Sequence, residues 1–208
     1  MRLVLELPRE QRARRFLQLV VGLLLFGFSV ALMVEAHLGL DPWDVFHQGA
    51  AERTGIAIGT ATIVVSVFVL LLWIPLKQLP GVGTLANAVL VGLAMNWSLA
   101  LLDRPQTMTV RIAFLVAGIV LNGVATGLYI GAGLGAGPRD GLMMGLAARG
   151  HSIRVVRTGL EIGVLAAGWL LGGTVGVGTV AYAVTIGPLA HVFIPLFETR
   201  KTGPVLDV

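Results

Sequence analysis

The sequence predicts an all-α membrane protein with six transmembrane helices, arranged as two inverted three-helix repeats. Three observations predict this fold: the scarcity of charge, the spacing of the remaining charges, and an internal repeat of about 96 residues. Hydrophobic residues occupy 56% of the 208 positions and charged residues only 12%, about half of the charged fraction that is typical of a soluble domain. An ordinary soluble enzyme is therefore nearly excluded, and the absence of cysteine excludes disulfides and thiolate metal sites.

Long uncharged stretches separate the charged residues. A helix needs about 20 apolar residues to cross the roughly 30 Å hydrocarbon core of a bilayer, and four uncharged stretches of 19, 23, 25 and 27 residues each fit one span. A fifth stretch of 36 residues is too long for one span, and its glycines between positions 172 and 178 predict a turn. The six predicted spans are residues 16–37, 56–76, 80–102, 110–133, 153–171 and 177–196.

The lysines and arginines predict the orientation of these spans. With a cytoplasmic N-terminus, twelve Lys and Arg residues fall on the cytoplasmic side and three on the opposite side. Such an excess normally stays in the cytoplasm, so the basic segment 1–13 and the tail 197–208 are both predicted to be cytoplasmic. The net charge of +4 is then a signal of topology, and nucleic-acid binding is not predicted.

The second half of the chain repeats the first. A shift of 96 residues places Arg15 on Arg111 and pairs several glycines, leucines and a proline; beyond residue 55 the offset becomes 95. Each copy, 14–102 and 107–196, contains three spans, and an odd number of spans reverses the orientation of the second copy. Inverted repeats are common in secondary transporters, whose binding site lies near the bilayer midplane between the repeats.

A short helix is predicted after the first span of each repeat. Asp41 and Gly137 are expected to be the N-caps, because a proline follows each of them at the first helical position. Asp44 and Asp140 then face the exposed amides at the positive end of the helix. Each helix should have about a dozen residues and a length of roughly 18 Å, which is too short to span. The two helices are either interfacial, with aspartates that only cap, or re-entrant half-helices that meet beside a cavity.

Ionisable residues inside predicted spans are costly and suggest function. Glu161 lies in the fifth span, one turn after Arg157, so the two can form an ion pair that either serves a site or only fixes packing. Glu35 lies near the outer end of the first span and either lines the site or reaches interfacial water. His47, in the first short helix, either titrates near neutral pH or is a plain interfacial residue.

Small residues and tryptophans predict how the spans are surrounded. Rows of small residues at four-residue spacing, around Gly27 in the first span and Gly123 in the fourth, predict a close crossing of these two spans. The tryptophans within or beside the spans are expected in interfacial aromatic belts, and they are Trp73, Trp97 and Trp169.

Around these motifs the sequence resembles the YczE-like branch of the YitT/YczE family of bacterial integral membrane proteins. The resemblance covers residues 14–196, and it rests on the two short-helix motifs, on the run Ile-Arg-Val-Val-Arg-Thr-Gly at 153–159, and on the glycine-rich run at 172–179. It implies a multi-span protein of the bacterial inner membrane and does not imply a substrate.

The leading functional hypothesis is a transporter or permease for a small solute or an ion, with a polar site between the repeats. The candidate binding residues are Asp44, Asp140, Arg139, Glu161, Arg157, Glu35 and His47. Their carboxylates favour a cationic solute or a proton. Sequence motifs for an enzymatic nucleophile, a phosphate-binding loop or a histidine metal site are absent, so no enzymatic activity, cofactor or metal is predicted.

The alternative hypothesis is a non-catalytic scaffold or accessory protein whose basic cytoplasmic face binds a partner. This face comprises the arginines between positions 9 and 15 together with Arg149, Arg154 and Arg157. The lipid bilayer is the expected environment in either case. A face of small residues allows a homodimer, and it consists of Gly168, Gly172 and Gly176.

Overall fold

The structure, a computed structural model, describes residues 9–198, and this range contains helices and connecting loops without strands. The helices are α1 (Arg9–Ala36), α2 (Pro42–Thr54), α3 (Ile58–Leu76), α4 (Val82–Leu101), α5 (Met108–Gly131), α6 (Pro138–Ala147), α7 (Ile153–Leu171) and α8 (Val177–Phe197). The predicted cytoplasmic location of segments 1–13 and 197–208 rests largely on residues outside this range and stays a prediction.

The long helices match the predicted spans closely. Their ends agree within two residues, except that α1 begins at Arg9 rather than at residue 16. Five of them, α1, α3, α4, α5 and α8, are long and apolar enough to cross a membrane. The sixth, α7, has 19 residues but carries three charges, at Arg154, Arg157 and Glu161, and it is not among these five. The all-helical class is therefore confirmed.

The two short helices also begin where the sequence predicts. Asp41 is the N-cap of α2 and Gly137 that of α6, and each is followed by a proline. The helix α2 has 13 residues and ends at Gly55, whose φ of 74° is left-handed and suits glycine. The helix α6 has 10 residues and ends before the expected stop at Gly150. Both helices are too short to span a bilayer.

The halves α1–α4 and α5–α8 pack together where α1 crosses α5, where α2 lies on α7 and where α3 lies on α6, and the crossing of α1 and α5 is the largest of these contacts. Gly22 lies against the α5 backbone at Ala125, and Gly118 lies against the α1 backbone at Ser29. Gly22 and Gly118 are equivalent under the 96-residue shift, and so are Ser29 and Ala125. The crossing therefore uses the same contact twice, once from each half.

The predicted crossing through the other glycine rows is wrong. Gly27 faces the α4 backbone at Val91, and Gly123 faces Leu189 of α8. Each row therefore packs against the last helix of its own half. The physical reason is that α1 and α5 both carry small residues on more than one face, and spacing alone does not distinguish between the faces.

The first turn of the last helix in each half is bonded to a loop of the other half. The amide of Gly83 donates to the carbonyl of Leu134 at 2.9 Å, and the amide of Gly178 donates to the carbonyl of Leu38 at 2.7 Å. These amides belong to the first turn of a helix, which lacks partners within its own helix. The two bonds are equivalent under the repeat offsets and fasten α4 and α8 to the opposite half.

Several residues that were expected to face lipid or a second subunit instead pack against other helices and loops of the same chain. The indole of Trp73 is 3% exposed, lies over Gly141 and donates to the carbonyl of Pro138 at 3.0 Å, so its predicted position in an aromatic belt is wrong. Gly168 packs against Phe46, and Gly176 packs against the loop at Leu38. The predicted dimer face is therefore largely occupied within the chain.

The tight contact at Gly168 yields a prediction. A methyl group there would collide with the α2 backbone at Phe46, whereas Gly163, on the same helix, has open space at its side-chain position. We expect Gly168→Ala to reduce the stability by about 1–3 kcal/mol through overpacking. Gly163→Ala should be neutral or raise the stability by up to about 1 kcal/mol, because alanine favours the helix. Thermal unfolding of the purified variants in detergent measures both, and equal effects would contradict this packing.

Candidate functional site

A cavity of about 240 Å³ lies between the two halves. The starts of α2 and α6 form part of its wall, and side chains of α1, α3, α4, α5, α7 and α8 form the rest. Its charged lining residues are Asp41, Arg139, Asp140, Arg157 and Glu161. The sequence predicts four of these five as site residues, and the structure brings them to one cavity.

Equivalent positions of the two halves line this cavity. Three such pairs, related by the 95-residue offset, are Thr62 and Arg157, Ser66 and Glu161, and Asn87 and Tyr182. A fourth pair, Trp43 and Arg139, is in contact: the guanidinium carbon lies 5.6 Å from the centre of the indole ring, within the range of a cation–π interaction. The cavity thus lies where the halves meet, and the second half supplies most of its charge.

The start of α2 places two carboxyl groups beside the cavity. Asp41 caps the helix, and its Oδ1 atom accepts hydrogen bonds from the amides of Trp43 at 2.8 Å and Asp44 at 3.2 Å. Asp41 is 2% exposed and Asp44 is fully buried. Only Asp41 is part of the cavity wall, so Asp44 lies behind it.

Arg139 links the two short helices. It is the second residue of α6, and its guanidinium reaches the first turn of α2. Its Nη1 atom lies 3.4 Å from Asp41 Oδ1, and its Nη2 atom lies 3.4 Å from Asp44 Oδ1. The side chain of Arg139 therefore bridges the N-terminal ends of α2 and α6.

Burial governs the ionisation of this cluster. Burial, followed by the nearby positive charge of Arg139, lowers the pKa of His47 to about 3. The imidazole is then neutral at pH 7, and its Nδ1–H donates to Asp44 Oδ1 at 3.0 Å. Burial raises the pKa of Asp41 to about 8, and the adjacent carboxyl group of Asp44 raises it further against the opposing effect of Arg139.

Three polar atoms at the start of α2 are buried and, within the described residues 9–198, have no hydrogen-bond partner: Asp41 Oδ2, Trp43 Nε1 and Asp44 Oδ2. Leaving a buried polar atom unpaired costs about 1–3 kcal/mol. Such a group in a native protein requires an explanation, for example an unseen water or ion. Two of the three atoms are acceptors on neighbouring carboxyl groups.

The remaining charges of the cavity wall lie on α6 and α7. The Nε atom of Arg157 lies 2.8 Å from Glu161 Oε1, which is the ion pair that the four-residue spacing predicts. On α6, Asp140 Oδ2 accepts a hydrogen bond of 2.7 Å from the hydroxyl of Tyr129. Both groups therefore have partners that a bound solute could replace.

The structure does not bring every predicted residue to the cavity. Glu35 is half-buried at the end of α1 and is not part of the cavity wall. Asp41 was predicted only as a cap, although a second acidic residue three positions before Asp44 is a usable signal for a buried pair. Tyr129 and Tyr182 also line the cavity. For Tyr182 the available signals are its hydroxyl group within a predicted span and its equivalence with Asn87.

The contacts of Arg139 yield a prediction. Arg139→Gln would leave Asp41 and Asp44 without their cation, and removing one partner of a buried ion pair costs on the order of 3 kcal/mol. Arg154→Gln, at an exposed position of α7, should change the stability by less than about 0.5 kcal/mol.

In an Asp44→Asn background, the loss of stability caused by Arg139→Gln should shrink, because only one carboxylate remains to be neutralised. A double-mutant cycle of thermal unfolding measures this coupling, and additive losses would contradict the bridge.

Comparison with known proteins identifies the family and supports a membrane protein. Residues 13–195 match a family of unknown function, DUF6198. An "Uncharacterized protein" of Haemophilus influenzae is 43% identical over 180 residues, which cover 84% of this chain and 83% of that protein. The "Uncharacterized membrane protein YczE" of Bacillus subtilis is 33% identical over 190 residues, 90% and 88% of the two chains. No solved structure matches. The chain therefore belongs to the DUF6198 family, its resemblance to YczE is confirmed, and its apolar helices are those of a multi-pass membrane protein.

Proposed function

We propose that the protein is a small transporter of the bacterial inner membrane. In this proposal two inverted three-helix halves each cross the bilayer three times, and α7 is the sixth span. The cavity between them is the binding site for a small cationic solute or an ion. Both termini lie in the cytoplasm, and the protein carries out no enzymatic step.

The observation that carries this proposal is the cavity lined by equivalent positions of the two halves. A site between repeats, beside the ends of broken or half-length helices, is the arrangement typical of secondary transporters. The cavity adjoins the N-terminal ends of α2 and α6, neither of which is long enough to span. Non-helical backbone at membrane depth is tolerated where it lines a cavity or is covered by protein.

Contacts between the halves support the inverted arrangement. The bond from Gly83 to Leu134 is the counterpart of the bond from Gly178 to Leu38, as expected for a pseudo-twofold relation between the halves. With three spans in each half, the axis of that relation lies in the plane of the membrane.

The size and charge of the cavity support a small cation. Its volume of about 240 Å³ is below the roughly 300–1,000 Å³ of sites for drug-sized ligands. Its wall contains three carboxyl groups, those of Asp41, Asp140 and Glu161, and two guanidinium groups, those of Arg139 and Arg157. Asp140 is hydrogen-bonded to the neutral hydroxyl of Tyr129, while the guanidinium groups pair with Asp41, Asp44 and Glu161, so the carboxyl group of Asp140 favours a positive solute. The Arg157–Glu161 pair can open, so that Glu161 binds the solute in place of the arginine.

The scaffold hypothesis needs a basic face that is available to a partner protein. Several arginines of that face have other contacts. Arg15 is 5% exposed, Arg149 donates to the carbonyl of Pro75 at 2.6 Å, and Arg157 is paired with Glu161. The transporter is therefore the function that we favour.

A ligand screen tests the proposal. The thermal stability of the purified protein is measured with monovalent cations, small amines and amino acids, because a ligand of the folded state stabilises it by about 2.7 kcal/mol at 100 times its Kd. Uptake of each stabilising compound is then measured in proteoliposomes. Asp140→Asn and Glu161→Gln should abolish the stabilisation and reduce uptake at least tenfold, since each removes a carboxylate from the cavity wall.

The matched control is Glu52→Gln, which removes an exposed carboxylate of α2. This variant should bind and transport like the wild type. Ligand stabilisation that survives both cavity substitutions, or that Glu52→Gln removes equally, would contradict the proposed site.

A further inference from the structure

The cluster at the start of α2 carries unbalanced charge. Two carboxyl groups, those of Asp41 and Asp44, share one guanidinium, that of Arg139. His47, which also contacts Asp44, is neutral. With both carboxyl groups ionised, the buried cluster has a net charge of −1, and an uncompensated buried charge is strongly disfavoured.

The geometry leaves a defined place for one more positive charge. Within the described residues 9–198, the hydrogen bonds to the two carboxyl groups all end on their Oδ1 atoms, and the donors are backbone amides, His47 and Arg139. Among the described residues, both Oδ2 atoms are buried without a partner. The two carboxyl groups lie beside the same guanidinium, each with its Oδ1 atom 3.4 Å from a nitrogen of Arg139, and a hydrogen bond between them would need a proton. Two carboxylates cannot form such a bond, because neither has a hydrogen to donate.

We propose that Asp41 and Asp44 together bind one proton at their Oδ2 atoms, and that this proton is the ion that the transporter couples to its solute. The proton forms an O–H bond on one carboxyl group and is shared by hydrogen bonding with the other. Paired carboxyl groups in other proteins hold a proton for the same reason, since adjacent like charges cannot both ionise easily. The bound proton makes the cluster neutral and gives both Oδ2 atoms a partner.

A proton fits this place better than a metal cation. Hard cations such as Ca²⁺ take six to eight oxygen ligands, whereas only two unpaired oxygens are present here. The guanidinium of Arg139 is 3.4 Å from each carboxyl group, and the unpaired Nε1–H of Trp43 is a donor in the same helical turn. Both would repel a metal cation.

Asp41 is the member of the pair that meets the cavity, so water in the cavity can deliver and remove the proton. Other titratable groups contact the pair or line the same cavity. They are His47 on α2, Tyr129 on α5, Arg139 and Asp140 on α6, Arg157 and Glu161 on α7, and Tyr182 on α8. Asp140 and Glu161 already have partners in Tyr129 and Arg157.

The first test is the dependence of stability on pH. Because burial raises the pKa of Asp41 to about 8, the folded protein holds a proton that the unfolded chain releases near pH 4. Proton binding therefore stabilises the fold, and this stabilisation is lost as the pH rises toward and through 8. The Tm of the wild type should fall as the pH rises from about 5 to 8, and this fall should level off above pH 8, where the folded chain has also released the proton. Asp41→Asn and Asp44→Asn each leave one carboxylate for Arg139, so their Tm should fall less, and asparagine at position 41 preserves the helix cap.

Glu52→Gln is again the control and should follow the wild-type pH profile. If both asparagine variants lose stability with pH as steeply as the wild type, the proton site is wrong. If sodium concentration rather than pH determines the wild-type Tm, the pair binds a metal cation and the proposal is also wrong.

A second test detects the proton directly. Infrared difference spectra of the wild type should show the C=O band of a protonated carboxyl group at pH 6 and lose it above pH 9, and Asp41→Asn should lack the band at both values. Absence of the band from the wild type at pH 6 would overturn the proposal.

The coupling rests on the proposed transport function, and a separate measurement addresses it. An inward proton gradient should accelerate wild-type uptake in proteoliposomes, and Asp41→Asn should lose this acceleration. A protonated pair in a protein that binds and moves no solute would contradict the transporter and leave the proton site standing. Solute uptake that ignores the proton gradient in the wild type would contradict the coupling alone.

Discussion

The ion pairs of Arg139 with Asp41 and Asp44 are the interaction on which the site depends. Buried carboxylates need a partner of opposite charge, and the guanidinium that serves both comes from the other half of the chain at a distance of 3.4 Å from each. The two short helices therefore complete each other: α2 supplies the acids and α6 the base. Because one guanidinium serves two acids, the same interaction that joins the halves also leaves a place for a proton.

The helix contacts around this interaction occur in both halves, whereas the ionisable side chains of the cavity differ between the halves. The crossing at Gly22 and Gly118 and the reciprocal bonds between helix starts and loops occur in both halves. These contacts involve backbone atoms and small residues. They can therefore persist when side chains elsewhere in the two halves differ. Ionisable side chains in the cavity are concentrated in the second half, where Glu161 stands at the position of Ser66. The cavity is thus lined by equivalent positions of the two halves, and the second half carries most of its charge.

The positions of the helices could largely be predicted from the sequence. The spacing of charges predicted the long helices within two residues at nearly every end, and the Asp-Pro and Gly-Pro pairs predicted the starts of α2 and α6. These features depend on local chemistry. The tertiary partners were less predictable, since Gly27 and Gly22 are equally plausible contact residues and only packing decides between them. Asp41 was missed as a site residue because capping alone explains an aspartate at that position, and its second role depends on a residue 98 positions away.

The central claim is that the two halves are inverted in the bilayer, and cysteine labelling tests it most directly. Ala57 and Ser152 are the exposed N-caps of α3 and α7, are equivalent under the repeat offset, and make no side-chain capping bond. The chain has no native cysteine, so Ala57→Cys and Ser152→Cys can each be labelled without background. A membrane-impermeant maleimide added to spheroplasts should label Ala57→Cys at once and Ser152→Cys only after permeabilisation. Labelling of both positions from the same side would contradict the inverted arrangement.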